Sequence, residues 1–351
     1  MRSSDGIIND FEQLQSNDKL IISCKTITDE IVEKIKEKNI NFYYDICEFV
    51  EHKKNKKLHH YFIKNADKVI VSTRALKDLI IQKYKVEPLV IPDTTETKRK
   101  LPKFKKTKNR KIIKILFFGT RWHFMAVEWK KILNSLKQKN SNFQLNAVTN
   151  LSKEEKNKFL PQMKDLIEEN HLRLFDWSSE TQRKLLDDCD IVFLPNYINR
   201  SGGLKLKFKT ENRIVDALNA GKIILSNEGI DSYYPFKPYI QWISNYNISA
   251  KFRARFSKPL DWIPRRISDR VYRFLFFKKN IRLTKLIKGY LFTYEELQIP
   301  PDILPNVYAE NLLNIMENAE LMFQKILSAQ KIIDRKYLPE VVAKKWLALD
   351  P

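Results

Sequence analysis

Cysteine is scarce in this chain. The three residues present, Cys24, Cys47 and Cys189, are too widely spaced to form a metal-binding pattern. Their scarcity and spacing suggest a reducing compartment. The first residues, MRSSDGIINDFEQLQ, lack the apolar run of a signal peptide, so none is expected. No stretch approaches the roughly 20 apolar residues of a membrane span. The expected location is therefore cytoplasmic.

Acid is missing locally. Residues 98–114 hold ten Lys or Arg and no Asp or Glu, and residues 251–288 hold thirteen against Asp261 and Asp269 alone. These two segments supply all but one of the net +22 charges, so the rest of the chain is nearly neutral. No internal repeat appears, and the lysine runs are the only biased tracts.

What is present suffices for two cores: 351 residues, 43% of them hydrophobic and 12% aromatic. The most informative stretch is KTENRIVDALNAGKIILS, Lys209 to Ser226, which reads as an amphipathic helix running through a glycine into a strand. Ile214, Val215, Ala217 and Leu218 form its apolar face, Gly221 stops it, and Ile223-Ile224-Leu225 is a buried-strand run. Lys209, Asn212, Arg213 and Asp216 recur at helical spacing and share another face. Cations at a helix N-terminus make a phosphate cradle; the plain alternative is a solvated charged face.

Along the chain, strand and helix alternate. Leu20–Cys24 reads as a strand, Thr28–Lys38 as a helix, NFYYDIC (Asn41–Cys47) as a strand, KVIVST (Lys68–Thr73) as a strand, Arg74–Lys83 as a helix and LVIPD (Leu89–Asp93) as a strand. The pattern restarts at Lys111 with KIIKILFFG, followed by FQLNAVTN (Phe143–Asn150), LRLFDW (Leu172–Trp177), DIVFLPN (Asp190–Asn196) and KIILS. Near-continuous apolar strands separated by helices predict parallel sheets covered on both faces. Val307–Ile333 reads as one long helix and PEVVAKKWLAL as a terminal one.

The series YDICE, ADKVIVST, LVIPD, ILFFGTR, CDIVFLPN, KTENRIVDALNAGKIILS and PEVVAKKWLAL resembles the retaining glycosyltransferases of the GT-B fold, close to glycosyltransferase family 4. The resemblance covers residues 20–240 and the last fifteen. It implies an α/β fold of two Rossmann-like domains with parallel sheets facing across a cleft. The expected organisation is an acceptor domain over 1–97, shortened and without the family's glycine-rich loop, and a basic linker over 98–110. A nucleotide-sugar domain over 111–245, a basic aromatic segment over 246–300 and C-terminal helices over 301–351 follow, the last crossing back to the first domain.

By resemblance, the donor diphosphate meets Arg121 in GTRWH and Lys209 in KTENR, with Arg213 as the alternative to Lys209. Gly119 would let the backbone approach the phosphates, Thr120 beside it would belong to the donor site, and Asn212 and Asp216 would hold nucleotide or sugar hydroxyls. The chemistry asks for cations: breaking a sugar–phosphate bond leaves charge on the diphosphate, and Arg holds phosphate oxygens in a fork. The plain reading of Gly119-Thr120-Arg121 is a strand end followed by a surface arginine. The family's carboxylate pair is half present: Asp216 matches its second member, Phe208 stands at the first, and Glu211 is displaced by three.

On the acceptor side Asp45 and Glu48 are retained, while Cys47 stands where the family has a histidine. Glu48 would orient the acceptor or act as its base, or else cap a helix. His59 and His60 read as surface residues of a helix. The resemblance implies a nucleotide-diphosphate sugar as donor, a glycan or lipid-linked acceptor, and no metal or other cofactor.

Residues 251–288 interleave Phe252, Phe256, Trp262, Phe274, Phe276 and Phe277 with arginines and lysines, the composition of a segment lying on an anionic membrane. Nucleic acid competes for the same charges, but no nucleic-acid motif is present; packing of these aromatics into the fold is the third option. The expectation is a glycosyltransferase of cell-surface polysaccharide or lipopolysaccharide synthesis, peripheral on the inner membrane face. The alternatives are a non-catalytic relative acting as a membrane-associated binding protein, and a basic nucleic-acid-binding protein.

Overall fold

The computed structural model describes residues 19–24, 27–48, 56–102, 112–125, 127–139, 142–195, 208–227, 230–243 and 304–349. The membrane-surface expectation for residues 251–288 lies outside them, as does most of the basic linker.

The first domain is a parallel sheet of four strands in the order β1-β2-β3-β4: β1 Lys19–Ser23, β2 Asn41–Ile46, β3 Lys68–Val71 and β4 Leu89–Val90. Helices α1 (Asp29–Lys38), α2 (Lys56–Asn65) and α3 (Arg74–Tyr84) make the crossovers. Local chemistry sets their ends. Thr28 accepts from Ile31 N and Thr73 from Leu76 N, in the first turns of α1 and α3, and Asn39 and Lys85 close the same helices with φ of 48° and 60°. Ile22, Ile35, Phe42, Tyr44, Phe62 and Leu76 fill the core on this side. The LVIPD run pairs over only two residues, since Pro92 has no amide to offer a ladder.

The second domain is a six-stranded parallel sheet in the order β10-β9-β8-β5-β6-β7. Its strands are β5 Ile113–Phe118, β6 Phe143–Val148, β7 Leu172–Phe175, β8 Ile191–Leu194, β9 Ile223–Asn227 and β10 Gln241–Ile243. Between them come α4 (Arg121–Met125), α5 (Trp129–Lys139), α6 (Lys153–Gln162), α7 (Lys164–Glu168), α8 (Ser179–Asp188) and α9 (Asn212–Asn219). A 3₁₀ segment covers Asp231–Tyr239. The chain runs outward from β5 to β7, returns to β8 beside β5, and runs outward the other way. Strand order therefore reverses between β5 and β8, and ligands of open parallel sheets sit beyond the carboxyl ends at such a switch.

The long helix expected over Val307–Ile333 is two: α10, Leu304–Glu317, and α11, Ala319–Lys336. Asn318 breaks it, turning its side-chain amide back onto the carbonyl and side chain of Asn314. Helix α12, Pro339–Leu347, lies on the first domain, where Val342 and Leu349 pack with Tyr43, Ile70 and Ile91. The Tyr43 hydroxyl and the Lys68 ammonium both donate to the Leu349 carbonyl. Among the described residues no helix is long and apolar enough to cross a membrane.

The connection between domains is fastened to α9. Lys100 N donates to Asn219 O at 2.8 Å, Asn219 Nδ2 to Thr97 O at 2.7 Å, and Gln330 Nε2 to the carbonyls of Lys100 and Leu218. Gly221 has φ of 71°, and a Cβ there would meet Lys100 O at 2.6 Å. That position needs glycine twice over: for its left-handed backbone and for the strand of linker lying against it.

Candidate active site

Strand β5 delivers Gly119 to the carboxyl edge of the second sheet at the switch point, with its amide bonded to Val148 O. Helix α9 brings Arg213 over it. Arg213 Nη1 donates to Phe118 O at 3.3 Å, and a Cβ on Gly119 would stand 3.0 Å from that same nitrogen. The absence of a side chain at 119 is what allows the guanidinium to rest on the strand end. Ile214, Val215, Ala217 and Leu218 are all buried, which fixes the face that α9 presents and hence the direction of Arg213.

Lys209 precedes α9 and is half-buried. Burial draws its ammonium down to about 8; the charge of Arg213 acts in the same sense and that of Glu48 opposes it. Lys209 is thus electrostatically between Arg213 of the second domain and Glu48 of the first. Its neighbour Phe208 explains the placement: that ring is buried in the core of the first domain. The backbone after β8 crosses to the first domain at Phe208, and Lys209 is carried into the space between the sheets.

Arg121 opens α4 two residues after Gly119 and stands 3.7 Å from Glu155 Oε2. Glu155 is itself fixed by a capping box with Ser152 at the start of α6, so Arg121 lies along the carboxyl edge toward β6. The exposed Thr120 supplies the carbonyl for the first bond of α4, from Phe124 N. Of the cations the sequence singles out, Arg213 is the one seated at Gly119.

Two residues expected to contact the donor are engaged at the domain junction. Asn212 Nδ2 donates to Asp93 Oδ2 at 2.8 Å. Asp216 does not share the exposed face predicted for it: it is 5% exposed, and Oδ1 accepts from Thr95 Oγ1 and Glu96 N, both at 2.9 Å. Burial pushes its carboxyl up to about 6, against the lowering of those two bonds. Residues 95 and 96, not solvent, lie against this face of the helix.

Glu211, which matched no motif position, completes the junction. It is buried, and Tyr337 of α11's C-terminal end donates its hydroxyl to Oε1 at 2.7 Å. Burial pushes this carboxyl up to about 7. Tyr337 O in turn accepts from Thr95 N. Sequence reasoning missed it because the partner lies 126 residues away.

On the facing wall, Asp45 ends the register of β2 opposite Ser23, and Glu48 is exposed. Cys47 Sγ lies 3.5 Å from Cys24 Sγ, and its carbonyl accepts from Ser72 Oγ. His59 is buried, contrary to its reading as a surface residue, and its Nδ1 is hydrogen-bonded to the Tyr44 hydroxyl. The signal was in the spacing: His59, Phe62 and Ile63 fall on one helical face. His60 is exposed. Asp188 and Asp190 lie at the opposite, amino end of the sheet, where Asp188 pairs with Lys114 Nζ and Asp190 accepts from Lys114 N.

No protein-family model matches the chain, and no curated protein does. Solved structures do. The pneumococcal O-GlcNAc transferase GtfA, in complex with UDP and GlcNAc, superposes with a TM-score of 0.60 at 10% identity, over 98% of this chain and 58% of that one. Anabaena HepE with UDP and glucose gives a TM-score of 0.60 at 10% identity, over 99% of this chain and 80% of that one. S. aureus TarM, in complex with Fondaparinux, alpha-GlcNAc-glycerol and UDP, gives 0.50 at 16% identity, over 94% and 55%. The chain therefore spans less than three fifths of GtfA and TarM. What is shared is the fold: two parallel α/β sheets in the GT-B arrangement.

Proposed function

We propose that this chain is a glycosyltransferase that takes a nucleotide-diphosphate sugar and transfers the sugar to a glycan or lipid-linked acceptor. One observation carries the reading: Lys209 and Arg213 gather beside a side-chain-free strand end, Gly119, at the switch point of the second sheet. Proteins of the same fold, GtfA and HepE, are seen with UDP, which supports a uridine nucleotide as the first donor to try.

In this reading the diphosphate lies over Gly119. Arg213 and Lys209 hold its oxygens, and Arg121 reaches from the β6 side. As the sugar–phosphate bond breaks, negative charge grows on the leaving diphosphate. Cations held in place before the reaction stabilise that charge more than they stabilise the intact donor, so they lower the barrier. This assigns to side chains the charge neutralisation that a metal ion supplies elsewhere. Lys209 must be protonated to contribute, and a bound phosphate would raise its pKa from about 8. Glu48, across the cleft from Lys209, lines the acceptor side with Asp45 and Cys47 and is the candidate base for the acceptor hydroxyl.

Retention of anomeric configuration, a place in surface polysaccharide or lipopolysaccharide synthesis, and peripheral attachment through residues 251–288 complete the proposal; the last is supported by thirteen cations among clustered aromatics. A second reading, a non-catalytic binding protein, is favoured by Asp216 and Asn212 being engaged by the junction and by Cys47 in the acceptor wall. Release of sugar from UDP-sugars in the presence of membrane extract separates the two. The catalytic reading expects turnover that Lys209→Met lowers at least tenfold; nucleotide binding without turnover selects the second reading, and neither binding nor turnover rejects both.

A further inference from the structure

Cys24 follows β1 and Cys47 follows β2, the strand beside it. The register pairs Ser23 with Asp45, so the two cysteines leave adjacent strands side by side. Parallel neighbours run about 4.8 Å apart with a rise of about 3.3 Å per residue, so a one-residue offset leaves the Cα atoms about 6 Å apart, inside the disulfide range. The sulfurs are 3.5 Å apart.

We propose that Cys24 and Cys47 form a reversible disulfide, a redox-modification site in the acceptor wall immediately before Glu48. The two thiols differ in a way that suits the chemistry. Cys24 is buried, and its hydrogen bond with the Cys47 thiol, with the backbone bonds at Cys47 and Glu48, holds its pKa below the ordinary thiol value despite burial and the nearby Glu48 charge. Cys47 is only partly buried and is the more exposed residue of the pair.

The reaction is an exchange with a small-molecule disulfide. A thiolate at Cys47 attacks it, forming a mixed disulfide and expelling one small thiolate. Cys24 then attacks Cys47 Sγ, forming the Cys24–Cys47 bond and expelling the second. The two protein thiols lose two protons and two electrons, and the small disulfide is reduced to two thiols. Forming the bond draws sulfurs from 3.5 Å to about 2.05 Å, which pulls on the Cys47 backbone that Ser72 holds and on Glu48 next to it. Cys189 takes no part: it is buried on the other domain and its thiol is pushed up to about 12, chiefly by burial.

The test uses the folded full chain and oxidised glutathione, followed by thiol titration in denaturant, intact mass and peptide mapping. The expected result is a fall from three titratable thiols to one, a mass lower by two hydrogens, and a peptide joining positions 24 and 47, all reversed by dithiothreitol. In Cys24→Ser the reaction should stop at a glutathione adduct on Cys47, whereas Cys189→Ser should cross-link as the parent does. Three thiols remaining in the parent, an adduct on Cys47 that never resolves, or a cross-link surviving Cys24→Ser would overturn the proposal. The parent measurement stands by itself if Cys24→Ser does not fold.

Discussion

Gly119 and Arg213 are in contact: a methyl group added at 119 would lie 3.0 Å from Arg213 Nη1 and 3.2 Å from the Phe117 ring. The guanidinium can swing aside, but the buried ring can move little. Gly119→Ala should therefore displace Arg213 from Phe118 O at a modest cost in stability, about 1 kcal/mol from the crowded ring. Losing one charge-assisted contact to phosphate, about 1.5–3 kcal/mol, should weaken UDP binding roughly tenfold or more. Calorimetry and a thermal melt on the same sample check both parts.

Lys209 should take up a proton when a nucleotide diphosphate binds. Burial and Arg213 lower its ammonium to about 8, so part of the population is neutral near that pH, and a phosphate dianion beside it restores the charge. UDP affinity should fall as pH rises through 8. Titrations near pH 8 in two buffers of different ionisation enthalpy should give different apparent heats, and Lys209→Met should abolish the difference.

The domain junction should be less stable at neutral than at mildly acid pH. Glu211 and Asp216 have carboxyls raised by burial to about 7 and about 6, so between their unfolded and folded values the native state binds more protons than the unfolded one. Stability contributed by these groups is present at low pH and declines as pH rises from about 4 to 7. Glu211→Gln keeps an acceptor for Tyr337 without the charge, so it should raise stability at pH 7.5 by on the order of 1 kcal/mol and flatten the decline. Urea unfolding as a function of pH, compared between the two proteins, measures this.

At Gly221 a side chain is excluded on two grounds, φ of 71° and Lys100 O at 2.6 Å from the would-be Cβ. The left-handed backbone alone costs a non-glycine residue about 1–2 kcal/mol. Because the obstacle is linker backbone rather than a side chain, Gly221→Ala should cost about 2–4 kcal/mol, loosening residues 97–101 from α9. Hydrogen exchange at Lys100 N, which bonds Asn219 O, reports that loosening.

The parallel sheets were legible because several strands are continuous apolar runs: β8 reads Ile-Val-Phe-Leu and every one of its residues is buried. Gly221 as a helix stop was legible for the same local reason. What the sequence withheld was side-chain destination across distance. Phe208 read as a gap in a carboxylate pair, yet its ring packs in the first domain and so positions Lys209. Asp216 reads as a ligand contact through the family's carboxylate pair, but Thr95, which donates to its carboxylate, lies 121 residues upstream. Burial of His59 is legible in its spacing, since it shares a helical face with Phe62 and Ile63. Chain length explains another gap: Val307–Ile333 keeps its apolar period through Asn318, so periodicity could not show the break.

The central claim is that Arg213 and Lys209 form one diphosphate site over Gly119. It is tested most directly by calorimetric titration of UDP into the parent, Arg213→Met and Lys209→Met proteins, each first shown to melt cooperatively. Each change should weaken binding by roughly ten- to a hundredfold, from the loss of a charge-assisted hydrogen bond worth about 1.5–3 kcal/mol. UDP binding left unchanged by both substitutions would place the nucleotide elsewhere and contradict the account.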